Sequence, residues 1–147
     1  MYKRQVAAGE LARVCRPGGR LGVASWRPEG TGGSLFRVMA PFQPPPPPGF
    51  ASPFEWGREE EVERLLGQAF DLEFEELDSP LTGSSAEAVW KTFSTSFGPM
   101  KTLAESLAPE RRDELRRSFV EWMEEYRLPA GGIHQPRPYL LALGTRR

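Results

Sequence analysis

The sequence feature that most constrains the fold is the turn Pro17-Gly18-Gly19, which separates a helical pattern from an apolar run. Before it, Val6–Cys15 carries apolar residues near helical spacing, and proline and glycine end such a helix because neither continues its hydrogen-bond ladder. After it, Leu21–Trp26 is apolar at both alternate positions, which is typical of a strand covered on both faces. A helix, a tight turn and a buried strand within about twenty residues predict an α/β fold.

Composition excludes several classes of protein. The 147 residues, 39% hydrophobic and 27% charged, suit one domain with an apolar core, and the net charge of −1 favours neither a nucleic acid nor an anionic membrane as partner. The apolar runs are far shorter than the ~20 residues of a membrane-spanning helix. The single cysteine and single histidine exclude an internal disulfide and a structural zinc site. Because the first residues lack the apolar stretch of a secretory signal, we expect a cytoplasmic setting.

Two more strands are predicted after the first. Phe70–Glu75 alternates apolar and acidic residues, which indicates one buried and one solvated face, whereas Tyr139–Thr145 is apolar throughout and is expected to be fully buried. Five further helices are expected after the one that ends at Cys15, and the third of these five begins with a capping box between Ser84 and Glu87. These helical segments are Leu35–Met39, Gly57–Leu66, the stripe from Val89 to Phe97, a short helix from Gly98 to Leu107, and a longer one beginning at Pro109.

Three other features have a functional and a plainer interpretation. The run Pro44–Pro48 is either a ligand for an SH3-type groove or a stiff connector, and we favour the connector because no Arg or Lys lies within it. His134 is either a general base or an exposed loop residue, and we favour the latter. The acidic side chains after Phe70 are expected to form a solvated strand face and not a metal site; they are Glu73, Glu75, Glu76 and Asp78.

The segment from Glu10 to Ala24, Glu-Leu-Ala-Arg-Val-Cys-Arg-Pro-Gly-Gly-Arg-Leu-Gly-Val-Ala, resembles the helix end, turn and fifth strand of class I S-adenosylmethionine-dependent methyltransferases. The similarity is greatest to the group related to ubiquinone and menaquinone biosynthesis methyltransferases, in which Leu usually stands where this chain has Cys15. Ser52-Pro53 with Trp56-Gly57, and the strand beginning at Pro138, also resemble a subgroup of these proteins. The likeness extends over nearly the whole chain from Val6.

The resemblance implies an α/β, partial Rossmann-like methyltransferase fold. Its three-stranded mixed sheet would consist of the fifth, seventh and sixth strands, here Leu21–Trp26, Tyr139–Thr145 and Phe70–Leu77, with the last strand antiparallel between the other two. Residues 6–147 would form the C-terminal part of the methyltransferase domain, and residues 79–138 a helical cap inserted in it.

The cofactor half of such an enzyme is missing from the sequence. The family binds S-adenosylmethionine on an acidic-x-Gly-x-Gly-x-Gly turn, which does not occur among these 147 residues, and Gly30–Gly33 is not followed by the long helix such a site needs. Met1–Gln5 resembles the translation of a transposon adapter used in sequencing libraries, so we expect residues 1–5 to be non-native. The chain is therefore interpreted as the acceptor-facing half of an enzyme, without cofactor-binding residues of its own.

Methyl transfer depends chiefly on positioning, so the absence of an evident catalytic triad or metal site does not count against such an enzyme. By resemblance, the acceptor would be a small apolar or aromatic molecule. The candidate acceptor-facing residues are aromatic and are Trp26, Phe42, Phe54, Trp56 and Trp90. The alternative interpretation is a small α/β binding or oligomerisation module without catalytic activity.

Overall fold

The computed structural model describes residues 2–47 and 52–147. The helices are α1 (Tyr2–Val14), α2 (Thr31–Met39), α3 (Glu59–Leu66), α4 (Ala86–Ser96), α5 (Gly98–Ser106) and α6 (Pro109–Glu124). The strands are β1 (Arg20–Trp26), β2 (Phe70–Asp78), β3 (Leu81–Gly83), β4 (Ile133–Gln135) and β5 (Pro138–Arg146). Two 3-10 turns occupy Ala40–Phe42 and Pro53–Gly57. Within the described ranges, every helix is too short or too polar to cross a membrane.

The chain divides into two compact units. We call the first the sheet unit; it comprises Met1–Gly33, Pro46–Ser79 and Arg137–Arg147. The second, the helical unit, comprises Ser34–Pro45 and Pro80–Pro136. Each unit has its own cluster of buried apolar side chains.

The sheet unit is built on the three strands expected from the sequence, in the order β1-β5-β2. The final strand lies between the other two and is antiparallel to both, with Trp26 opposite Tyr139 in one ladder and Phe74 opposite Ala142 in the other. The predicted strand order is therefore confirmed. The description of the sheet as mixed is wrong, because both ladders are antiparallel.

The Pro-Gly-Gly turn fastens the start of β1 to the end of β5. Gly18 has a φ of 73°, in the left-handed region that favours glycine, and its N–H donates to the Arg146 carbonyl over 2.8 Å. The Arg146 N–H donates in return to the Gly19 carbonyl, also over 2.8 Å. The Arg146 side chain donates to the carbonyls of Ala12 and Ala69, so one residue of β5 holds the end of α1 and the beginning of β2.

Only one face of the sheet is well covered in the described structure. Leu140 and Ala142 of β5 are buried, and Val62 and Leu66 of α3 belong to the same core cluster. On the other face Gly22 and Ala24 are exposed, and Leu141 and Leu143 are half-buried. The expectation that β1 and β5 are buried on both faces is therefore wrong. The apolar run of β1 led to a wrong prediction because it contains glycine and alanine. These residues count as apolar, but exposing their small side chains to water costs little free energy.

An ion-pair cluster links α1 to α3. Arg4 Nη1 lies 2.8 Å from Glu61 Oε1, and Arg64 donates to both carboxylate oxygens over 2.8 Å. The hydrogen-bonded Arg64 guanidinium lowers the pKa of the Glu61 carboxyl, and the charge of Arg4 acts in the same direction against the opposing effect of burial. Arg4 is among the five residues expected to be non-native; their origin stays a prediction.

The helical unit packs the apolar stripes of α4, α5 and α6 together. Phe119 is fully buried, with its ring centroid 5.5 Å from that of Trp90 and 5.4 Å from that of Phe93. The helical stripes predicted from the sequence are therefore core positions. The two-stranded sheet of β3 and β4, which pairs Thr82 with His134, was not predicted because three-residue strands leave almost no periodicity to detect.

Several helix boundaries differ from those expected. α2 begins at Thr31, four residues before the expected start at Leu35, and includes Gly32 and Gly33. α3 begins at Glu59, two residues later than expected, because the preceding Pro53–Gly57 forms a 3-10 turn. Of the run Pro44–Pro48, the first four prolines lie outside any helix or strand, and Pro48 is outside the described residues.

The N-cap of α4 is Ser85, whose Oγ accepts a hydrogen bond from the Ala88 N–H over 3.1 Å. The prediction of a capping box that begins at Ser84 is therefore wrong by one residue. Ser85 is the N-cap because its backbone is extended, with φ −163° and ψ 164°, as is typical of an N-cap residue.

We expect Ser85→Ala to lower the free energy of unfolding by about 1 kcal/mol, because it removes this cap bond. Ser84→Ala is the matched control and should leave stability within a few tenths of a kcal/mol of the parent chain. Urea denaturation followed by circular dichroism measures both. Equal losses in the two variants would contradict the assignment of the cap.

Candidate functional site

The best-defined group of predicted site residues lies at the end of β1. Trp26 is the last residue of that strand, and its register partner Tyr139 presents its ring edge-on, with the centroids 6.0 Å apart and the planes at 84°. The Arg137 guanidinium lies 5.1 Å from the centre of a Trp26 ring. Phe54 belongs to the same group, which we call the Trp26 corner: Trp26, Arg27, Phe54, Arg137 and Tyr139.

Glycine packing positions the aromatic rings of this corner. A Cβ atom at Gly32 would lie 3.1 Å from Trp26 Cβ and 3.6 Å from Phe54 Cε1, so α2 approaches both aromatic residues closely. A Cβ atom at Gly57 would collide with the Trp26 carbonyl oxygen. Glycine is therefore required at position 57 for the 3-10 turn to pass so near the end of β1.

Two arginines fix the edges of the corner. Arg27 Nη1 donates to the Gly57 carbonyl over 3.2 Å, and its Nη2 lies 2.9 Å from Glu76 Oε2. Arg137 donates from its backbone N–H to Asp78 Oδ1 over 2.6 Å and from Nε to the Ser79 carbonyl over 2.9 Å. Both guanidinium groups are thus held by acceptors at the end of β2. The corner combines half-buried aromatic surface with fixed cations and is suited to binding a planar or apolar group.

The other predicted candidates lie elsewhere. Trp56 is half-buried and packs against the core of the sheet unit. Phe42 and Trp90 belong to the core cluster of the helical unit, where the Arg111 guanidinium lies 4.6 Å from the centre of the Phe42 ring. Of the five candidates, Trp26 and Phe54 both pack against Gly32, where an added Cβ atom would contact both.

Arg137 and Tyr139 were missed by the sequence analysis. Both lie next to Pro138, the first residue of β5, and the sequence contained information that could have identified them. Once the last strand is predicted to run antiparallel to β1, the residues opposite Trp26 can be identified from the register, and these are Tyr139 and its neighbours.

The carboxylates at the Trp26 corner, those of Glu76 and Asp78, are each paired with an arginine. In the part of the chain that the structure describes, no group of three His, Cys, Asp or Glu side chains could hold a metal ion. His134 lies on β4 of the helical unit and is exposed. The aromatic rings and the guanidinium group at the Trp26 corner can contact a ligand by packing and by charge.

The comparisons with known proteins reveal relatives but no family. No family model matches the chain. The chain is similar to the uncharacterized protein Rv1405c of Mycobacterium tuberculosis, with 37% identity over 103 residues that make up 65% of this chain and 35% of that protein. It is also similar to the uncharacterized protein Rv1403c of the same species, with 41% identity over 64 residues, or 44% of this chain and 23% of that protein.

The relatives are longer than this chain. The aligned part of the chain covers about a third of the length of Rv1405c and about a quarter of the length of Rv1403c. Because the same aligned segment is 65% of this chain and 35% of Rv1405c, that protein is nearly twice as long.

Proposed function

We propose that this chain is the acceptor-facing part of a class I S-adenosylmethionine-dependent methyltransferase with a partial Rossmann-like fold. The observation that carries the proposal is the strand order β1-β5-β2 with an antiparallel central β5. This is the order expected of the fifth, seventh and sixth strands of the family that the Pro-Gly-Gly segment resembles. The proposed location is the cytoplasm, with no nucleic acid or membrane as partner.

The residues of this chain do not fit the cofactor. The glycine cluster Gly30–Gly33 follows β1 and runs into the first turn of α2, but the space above Gly32 is filled by Trp26 and Phe54. A Cβ atom at Gly33 would collide with the Pro28 carbonyl oxygen, so this glycine packs against backbone. The proposal therefore assigns cofactor binding to another part of a longer protein, in keeping with the greater length of the relatives.

The contribution of this chain would be to bind and orient the acceptor. Positioning a nucleophile against an electrophilic carbon accounts for several kcal/mol of a displacement barrier, about 7–11 kcal/mol in the most favourable cases. The Trp26 corner supplies an aromatic surface whose orientation is fixed by Tyr139 and Arg137. We therefore propose a small apolar or aromatic molecule as the acceptor.

A non-catalytic binding or oligomerisation module is the second candidate. It is favoured by the exposed residues Gly22 and Ala24, which lie on the edge strand β1 and leave part of the sheet uncovered. The two candidates differ in one respect that can be measured, because only the methyltransferase requires a cofactor site elsewhere in the full protein.

We expect the purified chain to show no binding of S-adenosylmethionine in calorimetric titration, because it lacks a cradle for the cofactor. The positive counterpart is the protein encoded when the reading frame is extended upstream of Val6, with full-length Rv1405c as a second. Both should bind S-adenosylmethionine, and the upstream segment should contain an acidic-x-Gly-x-Gly-x-Gly sequence.

Two results would contradict the proposal in different ways. If the 147-residue chain bound S-adenosylmethionine with a micromolar Kd, the proposal that the cofactor site lies outside this chain would be wrong. If the extended protein neither contained the glycine-rich turn nor bound the cofactor, the methyltransferase proposal would be excluded. The non-catalytic binding module would then be the remaining candidate.

A further inference from the structure

The helical unit contains a pocket that the proposed function does not use. Its volume is about 390 Å³, within the range of small-molecule sites. It is lined by one residue of α4, by the residue that follows α5, and by four residues from the first two turns of α6; they are Trp90, Leu107, Pro109, Arg112, Asp113 and Arg116. We propose that this pocket binds a small monocarboxylate with an aromatic or branched apolar body.

The apolar part of the ligand would contact a rigid surface. Trp90 is only 7% exposed, and its ring packs against Phe119 in the core, so its orientation is set before any ligand arrives. Leu107, which is half-buried, and the rigid ring of Pro109 add apolar surface beside it. A preformed apolar surface favours binding because little conformational entropy is lost when the ligand docks.

One guanidinium group of the lining can receive an anion. Two guanidinium groups and one carboxylate line the pocket, and the Glu87 carboxylate contacts one of those guanidinium groups from outside the lining. Arg116 is engaged already, by the Glu87 carboxylate and, at 3.9 Å, by Asp113 Oδ1. The ion pairs of α6 in the described structure use Arg111 and Arg116, and none of them uses Arg112.

Arg112 is therefore the residue expected to receive the carboxylate. Arg112 and Arg116 are four residues apart and lie on the same side of α6. A guanidinium presents paired N–H donors that match the two oxygens of a carboxylate, and its flat face can stack on an aromatic ring. The ligand carboxylate would give Arg112 the ion pair that no carboxylate of the described structure gives it, while the apolar body contacts Trp90.

The test uses 3-phenylpropanoate and its neutral counterpart 3-phenylpropanamide, titrated into the full chain and followed by saturation-transfer NMR of the ligand. For a ligand of this size, we expect the acid to bind with a Kd on the order of 1 mM. The amide should bind about tenfold more weakly, since a hydrogen bond to a charged group is lost. No S-adenosylmethionine is present, so failure here is distinct from failure of the proposed function.

Two variants assign the binding to the pocket. Arg112→Gln should weaken binding of the acid about tenfold and leave binding of the amide unchanged. Arg117→Gln is the matched control, because Arg117 is also exposed on α6 but does not line the pocket, and it should bind the acid like the parent chain. Circular dichroism melting checks that both variants fold.

Three results would overturn the proposal. The first is no saturation transfer to the acid at concentrations far above the expected Kd. The second is equal binding of acid and amide. The third is a loss of acid binding that is the same in Arg112→Gln and Arg117→Gln.

Discussion

The purified chain is expected to self-associate through the outer edge of β1 at micromolar concentrations. β1 pairs with β5 alone, so its other edge presents backbone groups without a strand partner among the described residues. The Arg146 N–H donates to the Gly19 carbonyl, and the Arg27 N–H donates to the Pro138 carbonyl. The backbone N–H and C=O groups of the odd-numbered residues of β1 therefore point toward β5. The backbone groups of Gly22 and Ala24 then point outward, on a stretch without charge or proline to hinder pairing.

Ala24→Lys is expected to convert the associated chain into a monomer. A lysine on an edge strand would have to approach its own copy in an edge-to-edge pair and lose hydration there. Ala24 is exposed, so the change should cost little stability. Sedimentation velocity measures the state of both chains.

Ala130→Lys provides the matched control for this prediction, because Ala130 is also an exposed alanine but lies in the loop before β4. It adds the same charge and should leave the association unchanged. A parent chain that is already a monodisperse monomer would contradict the expected edge pairing, and equal dissociation by both lysines would show that net charge is responsible.

Replacing Leu115 by alanine is expected to destabilise the helical unit severely. Leu115 is 0% exposed in the cluster formed by α4, α5 and α6. A leucine-to-alanine change at such a site removes about 2–5 kcal/mol, out of a total stability of about 5–15 kcal/mol for a typical domain. Thermal melting and amide exchange of α6 should both report the loss.

Leu128→Ala makes the comparison specific. Leu128 is 44% exposed after the end of α6, so the same truncation creates no cavity there. Its melting temperature should stay close to that of the parent chain. If both variants lost the same stability, Leu115 would not occupy the packed position that the structure gives it.

The helices of this chain could be predicted because their apolar stripes are long and regular. α6 shows this best: Leu115, Phe119 and Met123 recur every four residues, Pro109 begins the helix, and all three apolar side chains are buried. The strand order was also predictable, but from the resemblance of the Pro-Gly-Gly segment and not from periodicity.

Burial within the sheet could not be predicted from the pattern alone. Gly22 and Ala24 count as apolar in a pattern, yet their small side chains report nothing about what covers them. The choice of Ser85 over Ser84 as N-cap depends on backbone angles that adjacent serines do not specify. Arg137 joins the site through acceptors 58 and 59 residues away in sequence, Ser79 and Asp78, and local sequence does not encode such contacts.

The position of β5 sets the order in which the sheet unit can form during synthesis. β1 and β2 each pair with β5 and not with one another. Neither ladder can close until Pro138–Arg146 has left the ribosome, although β1 has emerged more than a hundred residues earlier. Pairings across such separations slow folding. The helical unit, whose residues 80–136 are synthesised as one continuous stretch, can fold while the sheet still waits for its central strand.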